Sequence, residues 1–488
     1  MVDDCVKPFH KSLHDWLVSE DADDYLLDPQ EGHQILSRTG WLEFEAGPSA
    51  MSDHVIAHLP GHLERMGSTD KLKECVTSCE HICRLAKTDR LCDLSPHWKQ
   101  IEKEQLASLC RESWAKMTSP LENFGLLVSR SIGKLFLHAG DYQTALEFFE
   151  RELKIAEEVQ DQESAAEAFF DIGWCHRHAD CFDQAIENVS KAKRFFEKAD
   201  KKPGLAKCLS VIGICFWHKQ NDSLAMENLR WSLKAYQETD DCRGQAEASN
   251  HLGIVLRSVG RFGEALCYLT KSKQAHQTLK HRNGFGKCCN SMGTCLWWSG
   301  DLEGALASYE EANQANIETG NLYVLGLTAN NLGYIHLEKG DMQKARSAFK
   351  NGLKIRQQLG SESYEMMDLS GLPRVEFQEG NVALARELSS RAVTTLAKHD
   401  TVEDLRRAYY NHHLTLKGGN DEERGCAEKA LTKAKELVKA RLGEITDAAV
   451  RKNLEEKVPV VKEILEAPSM HSTASNLAAA LLQSQQPV

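Results

Sequence analysis

The sequence predicts an all-α protein: a right-handed superhelical solenoid of about seven helix-turn-helix repeats, preceded by a non-repeating helical N-terminal region. The main evidence is an internal period of 40 residues, which runs without a gap through two series of small side chains. The series are Gly133, Gly173, Gly213, Gly253, Gly293 and Gly333, and Ala145, Ala185, Ala225, Ala265, Ala305, Ala345 and Ala385. We expect this array to span residues 123–402.

Each unit consists of two helices. In residues 249–279, apolar side chains recur at helical spacing before and after Gly260. A glycine at this point favours the left-handed backbone that ends a helix. The same place holds Gly140, Gly300, Gly340 and Gly380 in other units, and Asp180 and Gln220 in two more.

The glycines from Gly133 to Gly333 lie inside the first helix of each unit. Glycine in a helix interior costs about 1 kcal/mol relative to alanine. A cost that is repeated in every unit predicts a close approach of the neighbouring helix at each of these positions. We interpret the alanine series in the same way, on the second helix.

The order of small and large positions resembles the tetratricopeptide repeat, as in 331-NLGYIHLEKGDMQKARSAFKNGL-353. The 40-residue period is longer than the usual one of about 34 residues. It is similar to the long-helix variants found in kinesin light chains, cell-polarity adaptors and the sensor arms of some signalling ATPases. The resemblance implies a surface that binds a partner peptide, with the first helices lining the concave side.

The N-terminal segment carries a second resemblance. The order 9-FHKSLHDWL-17, Gly32-His33 and 54-HVIAHLPGHLERMG-67 resembles the region that follows the nucleotide-binding core in STAND (NACHT-like) signalling ATPases. The resemblance implies a winged-helix-like remnant in residues 1–50 and a helical linker or N-terminal cap in residues 51–122. It also implies an ATPase module, supplied upstream or in trans.

The array becomes irregular towards its C-terminal end. Pro373 and Glu376 replace a small and an apolar residue of the seventh unit. Residues 403–467 are interpreted as a degenerate repeat and a C-terminal capping helix, which is interrupted near Pro459. Residues 468–488 are rich in Ser, Ala and Gln, and we expect them to be disordered.

The composition argues against several classes of function. The net charge is −12, with 71 acidic and 59 basic residues, so no basic excess is present to bind nucleic acid. No apolar run approaches the roughly 18 residues of a membrane span, and residues 1–20 show no signal-peptide pattern. We therefore expect a cytoplasmic protein that binds neither nucleic acid nor membrane.

The sequence predicts no catalytic residue, cofactor or metal. One short helix contains the residue types of a catalytic triad, Ser12, His14 and Asp15, but it directs their side chains to different faces. The run Gly284 to Lys287 lacks the full spacing of a phosphate loop. The stripe of Cys75, Cys79 and Cys83 is either part of a zinc site or a core face, and the core face is favoured because common zinc sites pair cysteines from separate segments.

The repeat register also indicates which side chains line a peptide groove. Asparagine side chains can hold the backbone amides of an extended peptide, and Trp and Arg dominate the energetics of many interfaces. The predicted groove residues are Asn250, Asn290, Asn330, Trp174, Arg177, Trp217, Arg257, Trp297 and Tyr334. In the alternative interpretation, the asparagines bond the adjacent turn or the next unit, and the tryptophans belong to the core.

Two functions of different classes follow. The first is a protein-interaction scaffold or adaptor that binds a partner's peptide segment in the groove. The second is the sensor or regulatory arm of a split or truncated STAND ATPase. An enzyme in its own right is not expected.

Overall fold

The computed structural model describes residues 29–47, 50–88, 90–116, 123–359, 362–397, 402–445 and 447–468. The regular structure of these residues is helical, with no strand, so the all-α prediction is confirmed. By internal contacts the chain forms two compact units, Met1–Gly204 (unit 1) and Leu205–Val488 (unit 2). The segment 9–17, on which the winged-helix resemblance depends, and nearly all of the tail predicted at 468–488 lie outside the described residues.

Unit 1 contains a group of shorter helices followed by the first repeats. The shorter helices are α1 (Pro29–Glu45), α2 (Asp53–Arg65), α3 (Thr69–Thr77), α4 (Cys79–Lys87), α5 (Ser95–Trp98) and α6 (Lys103–Lys116), with a 3-10 turn at Leu91–Leu94. The repeat helices are α7 (Asn123–His138), α8 (Tyr142–Glu158), α9 (Gln162–His178) and α10 (Phe182–Lys198). Helices α7 and α8 pack as one pair, and α9 and α10 as the next.

Unit 2 begins within the first turn of α11 and continues the pattern of paired helices. Its repeat helices are α11 (Lys202–His218), α12 (Asp222–Glu238), α13 (Cys242–Ser258), α14 (Phe262–Thr278), α15 (Arg282–Ser299), α16 (Leu302–Thr319), α17 (Leu322–Glu338), α18 (Met342–Leu359), α19 (Glu362–Gln378), α20 (Val382–Leu396) and α21 (Val402–Leu416). Three C-terminal helices follow: α22 (Asp421–Gly443), α23 (Ala448–Lys457) and α24 (Pro459–Glu466). The domain boundaries stated above stay predictions.

The glycine series marks a contact that recurs within the pairs. A Cβ atom added at Gly133 would lie 2.6 Å from the ring of Phe149, and one at Gly253 would lie 2.6 Å from Leu269. In each case the obstructing side chain stands 16 residues later, on the second helix of the pair. The alanines from Ala145 to Ala385 are fully buried. The predicted close approach of the helices is confirmed.

The helices end at residues with positive φ, and these recur about every 20 residues. The predicted stops at Gly140, Gly260, Gly300, Gly340 and Gly380 have φ between 75° and 96°. The stops after the second helices were not predicted from the sequence; there Gln160, Asp200, Asp240 and Lys280 adopt φ of 51° to 58°. These non-glycine residues gave no recognisable signal, because side chains of this kind rarely take the left-handed conformation.

The cysteine stripe in unit 1 lies in the core, as expected. Cys75, Cys79 and Cys83 are buried together with His81. The His81 ring lies between two backbone carbonyls, with Nε2 2.8 Å from that of Ile56 and Nδ1 3.0 Å from that of Cys75, and the Cys75 Sγ lies 3.3 Å from Nδ1. Burial lowers the pKa of His81, and the two carbonyl contacts oppose that change.

The irregular seventh unit remains helical. Pro373 lies inside α19, and the buried Glu376 carboxylate accepts two hydrogen bonds from Arg346, at 2.9 and 3.0 Å. The guanidinium thus compensates for burying an acid at a position that other units fill with an apolar residue. The predicted interruption near Pro459 is present, because Val458 is extended between α23 and α24.

Candidate functional site

In unit 1 the predicted groove residues form a half-exposed surface on α9. The Arg177 guanidinium lies over the ring of Trp174, 5.0 Å from its centroid, and Phe170 lies one turn before Trp174 with ring centroids 6.1 Å apart. His178 continues the row and stacks on Tyr142 of α8, with centroids 4.7 Å apart. We call Phe170, Trp174, Arg177 and His178 the α9 face.

In unit 2 the three predicted asparagines have different surroundings. Asn250 and Asn330 are buried, and the Oδ1 atom of each accepts no hydrogen bond from the described residues. The Asn290 Oδ1 accepts from Thr328 at 3.2 Å and from Asn331 at 3.3 Å, both in the next repeat. Asn290 therefore makes the contacts of the alternative interpretation, whereas a role in ligand binding stays a prediction for all three.

Trp217 and Arg257 take part in contacts between neighbouring repeats of unit 2. The Trp217 Nε1 donates to the Ser258 hydroxyl at 3.1 Å. The buried Arg257 guanidinium lies 4.7 Å from the ring centroid of Trp298. Arg257 Nε donates to no acceptor in the described part of the chain.

Trp297 and Tyr334 are buried side chains that contact each other in unit 2. Their rings stack with centroids 6.1 Å apart. Trp297 Nε1 donates to Glu338 at 2.9 Å, and the Tyr334 hydroxyl lies 3.0 Å from the Ser370 hydroxyl. The Arg407 guanidinium covers both rings, 4.1 Å from the Tyr334 centroid and 5.3 Å from that of Trp297.

The short helix α24 covers these rings. Val460 and Glu463 of α24 line the same small space as Trp297 and Tyr334, a cavity of about 10 Å³ that is close to the size of one water molecule. The other side chains that line this cavity include Arg374, Arg407 and Asn411. We call Trp297, Tyr334, Arg374, Arg407 and Asn411 the α24 seat.

Helix α24 is held by an apolar face and by one ion pair. Val460, Val461 and Ile464 are buried in the same hydrophobic cluster as Trp297. Burying aliphatic side chains of this size contributes about 1.5–3 kcal/mol each. The Glu463 carboxylate accepts two hydrogen bonds from Arg374, at 2.8 and 3.0 Å, in the bidentate geometry that arginine forms with carboxylates.

The helices before α24 also lie against the repeats of unit 2. Arg441 at the end of α22 donates to the Asp222 carboxylate at 2.6 Å and to the carbonyl of Ser258 at 3.4 Å. A Cβ atom added at Gly260 would lie 3.0 Å from the carbonyl oxygen of Val450 in α23. The C-terminal helices therefore extend along the ends of first helices from Ser258 to Arg374.

Four side chains around α24 were not predicted from the sequence as part of the site: Arg374, Arg407, Asn411 and Glu463. Arg374 stands 40 residues after Tyr334, so extending that groove series by one unit would have found it. Glu463 carried no signal of its own, since an acid between aliphatic residues is common in amphipathic helices. Its pairing with Arg374 joins residues 89 positions apart and comes from the tertiary fold.

The described residues hold no metal-binding cluster, and several of their cysteines are buried. Within the ranges given above, no group of three His, Cys, Asp or Glu side chains could hold a metal ion. Burial raises the pKa of the thiols of Cys175, Cys288 and Cys295, so they stay protonated near neutral pH. None of the helices that the structure describes is long and apolar enough to cross a lipid bilayer.

Helix pairs that stack in series, with a small residue at the same helix–helix contact in each pair, define a helical-repeat protein. Two segments match family models of the tetratricopeptide repeat, at residues 126–198 and 328–359. The chain therefore contains tetratricopeptide repeats, as predicted, and one match lies in each unit. No curated protein matches the chain.

Several solved structures are similar to this chain at low identity. A Rap protein complexed with competence and sporulation factor is 14% identical with a TM-score of 0.47, over 70% of this chain and 98% of the other. The Rap conjugation gene regulator of plasmid pLS20, in complex with the Phr* peptide, is 15% identical with a TM-score of 0.47, over 72% and 98%. Aspartyl phosphate phosphatase F from Bacillus subtilis is 14% identical with a TM-score of 0.46, over 75% and 93%. These sequence identities and TM-scores are too low to assign the ligands or activities of those proteins to this chain.

Proposed function

We propose that this chain is a protein-interaction scaffold that holds a peptide segment of a partner protein against the first helices of its tetratricopeptide repeats. The observation that carries the proposal is the half-exposed α9 face, where Trp174 and Arg177 lie side by side. Tryptophan and arginine are the residue types most often found at the energetic centre of protein interfaces. Their row on one helix suits a peptide better than a compact small molecule.

The polar groups of this face favour a ligand that brings hydrogen-bond acceptors. Arg177 Nε is buried and has no acceptor among the described residues. Leaving a buried donor unsatisfied costs about 1–3 kcal/mol, more for a charged group. A carbonyl or carboxylate of a bound peptide would satisfy this donor, while the Trp174 and Phe170 rings contact the peptide's apolar side chains.

The buried asparagines of unit 2 fit the same proposal in a different way. Asn250 and Asn330 keep an unsatisfied carbonyl oxygen, which a backbone N–H of a bound segment could satisfy. Asn290 already accepts two hydrogen bonds from the next repeat, and we assign it a role in joining the repeats. Peptide binding would therefore use the outer two of the three asparagines.

The scaffold is proposed to be non-catalytic, with binding as its whole activity. The name of the Bacillus phosphatase belongs to a protein 14% identical to this one and is not transferred. The hypothesis of a STAND ATPase arm stays a prediction, because the segment 9–17 that carries its most characteristic residues lies outside the described ranges.

Partner capture with matched variants tests the proposal. The full chain, the double variant Trp174→Ala/Arg177→Ala and the control Trp231→Ala are immobilised, and the proteins that bind each are quantified by mass spectrometry. Trp231 is 54% exposed on a second helix, so its removal controls for loss of an exposed indole. We expect specific partners on the wild type and the control and at least a tenfold loss on the double variant.

The proposal is wrong if the double variant retains the same partners at the same yield. Circular dichroism on all three chains checks that the helices are intact. A captured partner is then divided into synthetic segments, and the segment that binds is measured directly by titration calorimetry.

A further inference from the structure

We infer that the α24 seat is a recognition site for a short acidic amphipathic helix of a partner protein, and that α24 is the ligand that occupies it in the free chain. The inference rests on the proposed function and deepens it, because it states the kind of partner that unit 2 takes. Competition between α24 and the partner helix would then control access to the site.

The shape of the seat fits one face of a helix. Val460, Val461 and Ile464 of α24 follow the spacing of a single helical stripe and are all buried. The opposite side of α24 is exposed at Lys462 and Glu466. A partner helix would need the same pattern: aliphatic residues at two or three positions of one stripe and polar residues elsewhere.

The charge of the seat selects for one carboxylate. Arg374 and Arg407 line the cavity with a single acid of the repeats, Glu338, which accepts from Trp297. The Glu463 carboxylate of α24 pairs with one of these cations, through two hydrogen bonds from Arg374. This pair is half-buried, with side chains 22% and 32% exposed, so it is accessible to exchange with another carboxylate.

The connection between α23 and α24 allows α24 to leave as a unit. Val458 is extended, and Pro459 has no N–H with which to continue the hydrogen-bond ladder of α23. Beyond the seat itself, α24 packs against α22 and α23, and the Lys435 Nζ of α22 donates to the carbonyl of Ala467 at 2.6 Å. Release of α24 therefore breaks no hydrogen bond within another helix.

When α24 occupies the seat, one polar atom of the seat accepts no hydrogen bond from the described residues. The Asn411 side chain is 1% exposed; its Nδ2 donates to the Ser370 carbonyl at 2.7 Å, but its Oδ1 accepts from no described residue. Asn411 is one of the residues that line the cavity beside Tyr334. A partner helix with a donor side chain at this point would satisfy Asn411 and could compete with α24, although α24 is covalently attached.

The test uses the full chain and a fluorescein-labelled peptide of residues 455–468. The variant Val461→Asp/Ile464→Asp places two carboxylates on the buried apolar face of α24 and should release the helix. The matched control, Lys462→Asp, adds an acid to the exposed side of the same helix. We expect the double variant to bind the peptide at least tenfold more tightly than the wild type or the control, by fluorescence anisotropy.

Charge exchange tests the carboxylate requirement. Adding Arg374→Glu to the double variant should weaken binding of the peptide at least tenfold. A peptide with Glu463→Arg should then regain most of the affinity for this triple variant, while binding poorly to the double variant. A seat that selects by shape alone would give no recovery, and this result would overturn the inference.

A measurement on the wild-type chain covers the case in which the double variant does not fold. Hydrogen–deuterium exchange of residues 459–466, followed by NMR on the 15N-labelled chain so that the unlabelled peptide of the same sequence is not observed, should rise in a saturable way as the peptide is added, and should not respond to the Glu463→Arg peptide. If exchange is unchanged at saturating peptide, α24 is a permanent cap and the inference is wrong. The proposed function would survive that result if the α9 face still bound its partner.

Discussion

Corresponding positions of the first helices differ in exposure between one repeat of unit 1 and two repeats of unit 2. Trp174 and Arg177 of unit 1 are half-exposed on the α9 face, whereas Trp297 and Tyr334 of unit 2 are buried beneath α24. The repeat period places these side chains on the same part of the first helices. The difference is that α24 packs over Trp297 and Tyr334 in unit 2. A repeat position thus fixes where a side chain stands, while neighbouring elements decide whether it can bind anything.

One ion pair of unit 1 and one of unit 2 differ in how deeply they are buried. Arg130 of α7 binds the Glu152 carboxylate at 2.6 Å, and the Glu152 side chain is fully buried. The pair of Arg374 and Glu463 in unit 2 is half-buried at the edge of the seat. A structural pair and an exchangeable pair can be distinguished by their burial, since breaking a buried pair leaves an uncompensated charge in the core.

Substituting these arginines should give the largest difference between the units. At pH 9, where Glu152 is ionised, Arg130→Ala is expected to lower the free energy of unfolding by about 3–5 kcal/mol, and Arg374→Ala by about 1 kcal/mol or less. Chemical denaturation followed by circular dichroism measures both. Equal losses would contradict the distinction between a structural and an exchangeable pair.

The loss at Arg130 should also depend on pH. Burial raises the pKa of Glu152 to about 8, and Arg130 opposes that rise. Without Arg130 the folded pKa lies higher still, and a carboxyl whose folded pKa exceeds its unfolded value loses stability as the pH increases. The destabilisation by Arg130→Ala should therefore be larger at pH 9 than at pH 6, and the reverse order would be evidence against this account.

The glycine series should show where the units are alike. Gly173→Ala and Gly253→Ala are each expected to destabilise the chain by about 1–3 kcal/mol, because their Cβ atoms would overlap Val189 and Leu269. Gly425→Ala is the control, since its Cβ would meet nothing within 4 Å. It should be neutral or stabilise α22 by up to about 1 kcal/mol. Thermal unfolding compares the three; a neutral Gly173→Ala would show that the close contact is not shared by unit 1.

The smallest effects are expected at the glutamines that end helices with positive φ. Gln160 in unit 1 and Gln220 in unit 2 have φ of 58° and 59°. Glycine adopts this conformation without the penalty of about 1–2 kcal/mol, although it loses more entropy on folding. Gln160→Gly and Gln220→Gly should each stabilise the chain by a few tenths to about 1 kcal/mol. The mirror substitution Gly300→Ala should destabilise it, and a gain there would refute the assignment of these stops.

Much of the fold could be predicted from the sequence because the information was local and repeated. The spacing of Gly133 to Gly333 predicted paired helices in close contact, and Gly260 and its equivalents predicted where first helices end. The stops at Gln160, Asp200, Asp240 and Lys280 could not be predicted, because these residues take the left-handed conformation less readily than glycine. Local backbone bonds hold it, such as the one from the Asp161 N–H to the Ala156 carbonyl. Of the candidate site, the sequence identified Trp297 and Tyr334 but not their exposure.

The sequence by itself determined that this protein is a stack of helix pairs and which side chains stand at the ends of its first helices, because the 40-residue period and helical spacing depend on residues near one another in the chain. Only the tertiary structure decided which of those side chains are accessible. Arg374 meets Glu463 across 89 residues, and Arg441 meets Asp222 across 219. Contacts of such separation arise when the C-terminal helices bury their apolar faces against the repeats, and no local pattern encodes their position.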